Sequence, residues 1–450
     1  MRHIRVAVVG AGPAGIYAAD ILTKEADEAG VRVSVDLLDR LPAPYGLVRY
    51  GVAPDHPRIK EIVKALRRVL GHEDIRFLGN VEYGTDLKLD DLQRFYDAVV
   101  FATGAMADRP LDIPGIDLPG SHGAADFVSW YAGHPDVPAH WPLEAESVAV
   151  LGAGNVALDV ARMLAKPAEE QLSTEIADNV FQGLSLNRAR EIHVFARRGP
   201  AQIKFTPMEL RELSHSPEVD VVVHPEGFEI DEASQQAISS SKGVRLVVDT
   251  LLKHVDAEPT GASRRIHIHL CQAPVEVLGT DRVEGLRTEI TELQGDGTAR
   301  GTGEYVDTPV QAVYRAVGYL STQLVDLPFD QAAGVIPNDG GRVVDLDGVP
   351  VPGAYVTGWI KRGPVGLIGH TKSDAAQTVA HLLEDVAALA VPEDTDPDGL
   401  VAHLADRGVD VVTWDGWGRL DAHEVALGEA AGRERIKVVA REEMLRVARG

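Results

Sequence analysis

The sequence predicts an α/β fold built on two strand–turn–helix nucleotide units, and three observations carry that prediction. Two glycine-rich turns are present, Gly10-Ala11-Gly12-Pro13-Ala14-Gly15 and Gly152-Ala153-Gly154-Asn155-Val156-Ala157. Each follows a short apolar run, residues 4–9 and 147–151, of the kind expected for a strand covered on both faces. The residues closing the next strand of each unit differ in charge: Asp39 in the first, Arg197-Arg198 in the second.

The elements follow in order. Residues 13–22 read as the first helix and 31–38 as the next strand, closed by Asp39. The stretch 41–57 holds four prolines and two glycines, so it reads as an unusually long loop. Residues 58–70 have helical periodicity, with Ile59, Ile62, Val63, Leu66, Val69 and Leu70 apolar and Arg58, Lys60, Lys64, Arg67 and Arg68 basic. Residues 97–102 read as a strand ending in Thr103-Gly104. After the proline-rich stretch 110–119, the second unit runs through its strand, a helix over 156–165, an insertion to about residue 190 and a strand over 191–196. Residues 221–304 read as strands with polar connections, at 243–252, 264–271 and 282–291 among others. Strands at 312–318 and 354–356, a glycine-rich loop to residue 369 and a helix over 373–389 come next. An acidic break at 392–399 then leads into a helical end.

Composition narrows the function. Hydrophobic content of 45% and charged content of 25% are ordinary for a soluble globular protein, and 450 residues suffice for two or three domains. With 44 basic and 68 acidic residues the net charge is −24, which argues against nucleic acid as the main partner. The one cysteine, Cys271, excludes an internal disulfide, a redox dithiol and cysteine-ligated iron–sulfur clusters, and reads as a small buried hydrophobe. No apolar run approaches the ~18 residues of a membrane span. The N-terminal stretch is too short for a signal peptide and runs straight into the glycine turn, so it reads as a strand and the compartment as cytoplasmic.

The first turn lets backbone approach a pyrophosphate at a helix N-terminus, and an acid 29 residues after Gly10 suits a ribose diol. The second lacks that acid. Arg197 and Arg198 stand in its place, and guanidinium forks match phosphate oxygens. FAD at the first site and NADP(H) at the second are therefore expected. The assignment divides the chain into an FAD-binding domain in two parts (1–107 and 326–390), an NADP-binding domain (108–325) and a C-terminal helical appendix (391–450) packed on the FAD domain.

Further motifs carry a resemblance. Residues 41–57 contain Ala53-Pro54-Asp55-His56-Pro57; later come Ala196-Arg197-Arg198-Gly199-Pro200 and Gly358-Trp359-Ile360-Lys361-Arg362-Gly363-Pro364. Together these resemble the adrenodoxin-reductase-like ferredoxin–NADP⁺ reductases, the actinobacterial members most of all, over nearly the whole chain. The resemblance implies two Rossmann-like dinucleotide-binding domains in a glutathione-reductase-like arrangement, without a redox disulfide. It places Gly10, Gly12, Pro13, Ala14, Gly15, Asp39, Gly46, Leu47, Val81, Arg109, Trp359, Gly366, Leu367 and Ile368 on FAD. It places Gly152, Gly154, Asn155, Val156, Ala157, Arg197, Arg198, Glu209 and Gly366 on NADP. His56 and Glu212 resemble a family pair close to the flavin and nicotinamide, orienting the ring and managing protons; no metal is implied. The chain departs from the pattern in having Trp359 where related flavoproteins carry an acid, Ile368-Gly369-His370-Thr371-Lys372 for Ile-Gly-Thr-Asn-Lys, and Asp39 where Glu is frequent.

The implied activity is hydride transfer between NADP(H) and FAD, followed by single-electron exchange with an acidic ferredoxin-type iron–sulfur protein. The basic face of 58–70, with Lys361 and Arg362, is a candidate docking patch for it. Alternatives are a non-catalytic NADPH-binding flavoprotein, a general NADPH diaphorase and an electron-input subunit; the last normally brings cysteine-ligated clusters. Monomer and dimer both fit.

Overall fold

The computed structural model describes residues 2–255, 257–366 and 368–450, with the side chains of 368–370 outside the description. The chain divides into two compact units, one of residues 1–107, 132–136 and 319–450, the other of 108–131 and 137–318.

The first unit is organised by an eight-stranded sheet in the order Asn338–Asp339, Arg342–Val344, Pro350–Val356, Ala98–Phe101, Arg2–Val9, Val31–Asp39, Ile75–Gly79, Val412–Thr413. Its five central strands are parallel. Residues 4–8 are all buried, as a both-faces-covered strand requires. Helix Pro13–Glu25 packs on one face through Ile16, Ala18, Ala19 and Leu22. Chain order reverses beside the first strand, and in open parallel sheets ligands bind outside the carboxyl ends of the strands at such a switch point.

The second unit repeats the plan. Its six parallel strands run Ser121–Gly123, Ala312–Arg315, Ser147–Leu151, Glu191–Phe195, Arg264–His269, Val219–Val223, and helix Asn155–Ala165 follows the central strand. An antiparallel three-stranded sheet (Gln272–Leu278, Gly285–Leu293, Ala299–Thr308) covers part of one face, packing Val277, Val283 and Leu286 on Ala149, Leu151 and Phe195.

Two local expectations are corrected. The stretch 243–252 is not a strand but part of helix Lys242–Val255. Its β-branched residues suggested extended chain, yet the buried Val247, Val248 and Leu251 share one helical face. The stretch 58–70 is two helices, Pro57–Lys60 and Val63–Leu70, and 41–57 contains a short one, Leu47–Tyr50.

The C-terminal segment folds as helices Gly399–Asp406, Trp414–Ala430 and Arg441–Arg449, and its strand Val412–Thr413 pairs antiparallel with Leu78 and Gly79 at the edge of the first sheet. Among the described residues no helix is long and apolar enough to cross a membrane.

Candidate functional site

In the first unit the glycine turn is shaped by close backbone approach. Gly10 has φ +112°, and a Cβ there would lie 2.5 Å from the Ala102 carbonyl oxygen; at Gly15 it would lie 2.0 Å from Gly10 O. The helix that follows has Gly12 at its N-cap, no side-chain cap and no acid in its first turn. Its first N–H groups are thus left for a ligand, and the helix dipole favours an anion there.

Two later loops close on this turn. Gly46 (φ +49°) sits so near Gly12 that a Cβ would fall 3.0 Å from Gly12 Cα, while the Tyr45 N–H donates to Ala11 O at 2.8 Å. Gly358 (φ +77°) faces Ala14, where a Cβ would come within 2.7 Å of the alanine Cβ. The Gly46 and Gly358 loops therefore bring Leu47 and Trp359 to the turn. Trp359 is half-buried and lies 6.4 Å from Tyr319, centroid to centroid, with the rings near parallel. Substituting Gly46 by Ala forces Cβ into this cradle in a backbone region that L residues disfavour. We expect Gly46→Ala to purify with sharply reduced flavin, read from the visible absorbance per chain; full flavin content would refute the cradle.

Asp39 accepts the Ala11 N–H at 2.8 Å on one carboxylate oxygen and the Leu41 N–H at 2.9 Å on the other. It thus locks the glycine turn to the strand end, and each oxygen keeps a lone pair for a diol. Burial raises its carboxyl above the ordinary range, against the lowering effect of those N–H bonds and of Arg40 and Arg441. The Val81 side chain is buried in the core beneath, and its N–H donates to Asp39 O at 2.8 Å. Gly366 is exposed with φ +90°. Leu367 lies outside the described residues, as does the side chain of Ile368.

In the second unit Gly152 has φ +145°, and a Cβ there would meet Ala316 O at 2.2 Å, whereas nothing lies within 4 Å of a Cβ on Gly154. Helix Asn155–Ala165 begins with Gly154 as N-cap, again without a side-chain cap. Val156 is half-buried and Ala157 fully buried, so only a small residue fits at 157. Asn155 Oδ1 accepts the Thr206 N–H at 2.8 Å, Lys204 N donates to Ala153 O at 2.8 Å, and Thr206 Oγ1 accepts the Glu209 N–H at 3.3 Å. One polar chain thus carries the geometry of the turn to the buried Glu209, whose carboxylate lies 3.8 Å from Arg162. Arg197 is exposed and Arg198 half-buried, and their carbonyls are tied down by Thr291 Oγ1 (2.8 Å) and Cys271 N (3.2 Å). With the backbone fixed, and with Arg198 Nη1 making a single long bond to Gly297 O at 3.4 Å, the guanidinium ends suit a phosphate.

Arg109 is exposed on the second unit, its N–H donating to Gly318 O at 2.8 Å. His56 is buried in the first unit at the start of helix Pro57–Lys60, and Glu212 is half-buried at the end of helix Pro207–Glu212 in the second.

Lys361 is no docking residue. It is buried, pairs with Asp374 at 3.0 Å and donates to Gln377 and Thr378. Asp374 also accepts the Gly358 N–H at 2.6 Å, so this carboxylate holds the Trp359 turn in place. Sequence reading missed Asp374 because no motif marks it. It also missed Thr206, although Thr206-Pro207-Met208-Glu209 carries a helix-start signature. Cys271 is buried and burial pushes its thiol up to about 11, so it stays protonated at neutral pH.

Comparison with known proteins agrees with this geometry. The family profile described as pyridine nucleotide-disulphide oxidoreductase matches residues 4–364. The NADPH-ferredoxin reductase FprA of Mycobacterium tuberculosis is 41% identical over 464 residues, covering all of both chains. The mitochondrial NADPH:adrenodoxin oxidoreductase of Arabidopsis thaliana is 37% identical, covering 99% of this chain and 96% of its own. The solved structure of M. tuberculosis FprA in complex with NADPH superposes with a TM-score of 0.92 at 40% identity, over the full length of both. The chain belongs to the pyridine nucleotide-disulphide oxidoreductase family, in its adrenodoxin-reductase-like branch.

Proposed function

We propose that this chain is an FAD-dependent NADPH:ferredoxin oxidoreductase. One observation carries the reading: two glycine cradles of the same construction, the first completed by a carboxylate and the second by two guanidinium groups. FAD, when bound, accepts a hydride and releases electrons one at a time.

The residues divide the remaining work. The N–H groups at the start of helix Pro13–Glu25 hold a pyrophosphate and Asp39 a ribose diol, while Gly46, Leu47, Arg109, Trp359 and Gly366 border the flavin nucleotide. In the second unit the turn from Gly152 to Ala157 takes the NADPH pyrophosphate and Arg197 with Arg198 its 2′-phosphate. His56 and Glu212 orient the nicotinamide and handle protons near it, and Glu209 and Gly366 border the nicotinamide end of NADP. With a single buried, protonated cysteine the chain has no dithiol to receive electrons, so they leave to an external acceptor.

That acceptor is an acidic ferredoxin-type iron–sulfur protein. Arg58, Lys64 and Arg68 are exposed on the helices of residues 57–70 and form its docking face, while Arg67 is taken up by Asp421 at 2.7 Å. In stopped flow, NADPH is expected to bleach the flavin absorbance, and ferredoxin-dependent cytochrome c reduction is expected to weaken as salt rises. Flavin that does not bleach would sink the enzyme reading.

A further inference from the structure

The second unit carries a histidine ladder that the nucleotide sites do not use. His193 lies on strand Glu191–Phe195, His267 and His269 on strand Arg264–His269, and His224 just past strand Val219–Val223. The parallel register sets His193 beside His267, and Val222 beside His267 on the other side. A period of two then puts all four imidazoles on one face of the sheet. Their rings stack at 4.3 Å (His224–His269) and 4.6 Å (His193–His267), all four half-buried.

The nitrogens meet in pairs. His224 Nε2 is 3.2 Å from His267 Nδ1, and His193 Nδ1 is 3.0 Å from His269 Nε2. Two nitrogens bound to one tetrahedral cation at ~2.0–2.1 Å stand roughly 3.3 Å apart. Glu191 adds the support expected of a metal-binding histidine: its Oε2 is 2.7 Å from His267 Nε2, and Arg265 Nε donates to the same carboxylate at 3.0 Å. A carboxylate on Nε2 takes that N–H and leaves the Nδ1 lone pair facing His224. We propose that this ladder is a binding site for a late first-row divalent transition cation, with His224 and His267 as the two protein ligands and Glu191 orienting His267.

Imidazole must be neutral to bind a metal. On binding, His224 moves its proton to Nδ1 and the cation replaces the hydrogen between the rings, so no proton is lost from the pair. Affinity for imidazole sites rises toward Cu²⁺, which makes Cu²⁺ and Ni²⁺ suitable probes.

The test is a calorimetric titration of the untagged holoenzyme with Cu²⁺ and with Ni²⁺, joined to electron paramagnetic resonance of the Cu²⁺ form. Saturable binding with nitrogen coupling from two imidazoles is expected. Glu191→Ala should bind about tenfold more weakly, His224→Gln and His267→Gln should lose the site, and His72→Gln, at an exposed position in the other unit, should bind as the parent does. His224 lies beyond the end of an edge strand, so His224→Gln decides the matter if His267→Gln does not fold. Unaltered binding in His224→Gln, or spectra without nitrogen coupling, would overturn the proposal.

Discussion

Replacing Arg197 and Arg198 together by alanine is expected to raise the KM for NADPH about a hundredfold while leaving that for NADH nearly unchanged. Hydrogen bonds to charged groups contribute about 1.5–3 kcal/mol each, and ~1.4 kcal/mol is a factor of ten. Two guanidinium groups on one phosphate would exceed a hundredfold if fully desolvated; the exposure of Arg197 sets the lower figure. The carbonyls that fix this turn, bonded by Thr291 and Cys271, survive truncation of both side chains. Apart from the long bond of Arg198 Nη1 to Gly297 O at 3.4 Å, the change is confined to the charge offered to the 2′-phosphate. Steady-state kinetics with both nucleotides decide it, and an equal rise in both KM values would sink the phosphate assignment.

The largest expected effect on stability is at Glu424. Its side chain is 0% exposed and accepts from Arg49 at 3.0 and 2.5 Å, from Arg435 at 3.3 Å and from Val438 N at 3.0 Å. Arg49 is itself buried, lies 5.1 Å from the Trp417 ring and belongs to the helix Leu47–Tyr50. The neighbouring carboxylate holds its guanidinium well above the usual arginine range despite burial. Removing one partner of a buried pair leaves an uncompensated charge and costs about 3–5 kcal/mol. Glu424→Ala should therefore loosen the C-terminal helices. Because Gly46 and Leu47 adjoin Arg49, it should release flavin as well. Thermal unfolding and flavin retention on gel filtration test this; a variant that keeps its flavin and loses less than ~1 kcal/mol would remove Glu424 from that role.

Much of the site was legible because its signals are local. A glycine turn between strand and helix, with an acid or two arginines at the next strand end, is compact in sequence since one βαβ unit makes the turn and the strand end beside it. The placement of Asp39, Asn155 and the Arg197-Arg198 pair at the turns and strand ends was readable for that reason. The helix Lys242–Val255 was misread because its run of valines has strand composition, and tertiary packing of one face overrode propensity. Lys361 was misread because a basic residue beside an arginine resembles a surface patch until its partner, Asp374, is found 13 residues along.

The sequence by itself determined two dinucleotide units, the opposite charge at their next strand ends and the want of a dithiol, since each depends on residue types at short fixed spacing. Only the tertiary structure decided that Gly46 and Gly358 close on the first turn, that Asp374 holds the Trp359 loop, and that Glu424 neutralises Arg49 from 375 residues away. Those are long-range contacts between buried groups, and nothing in local pattern encodes which distant charge or backbone will arrive beside them.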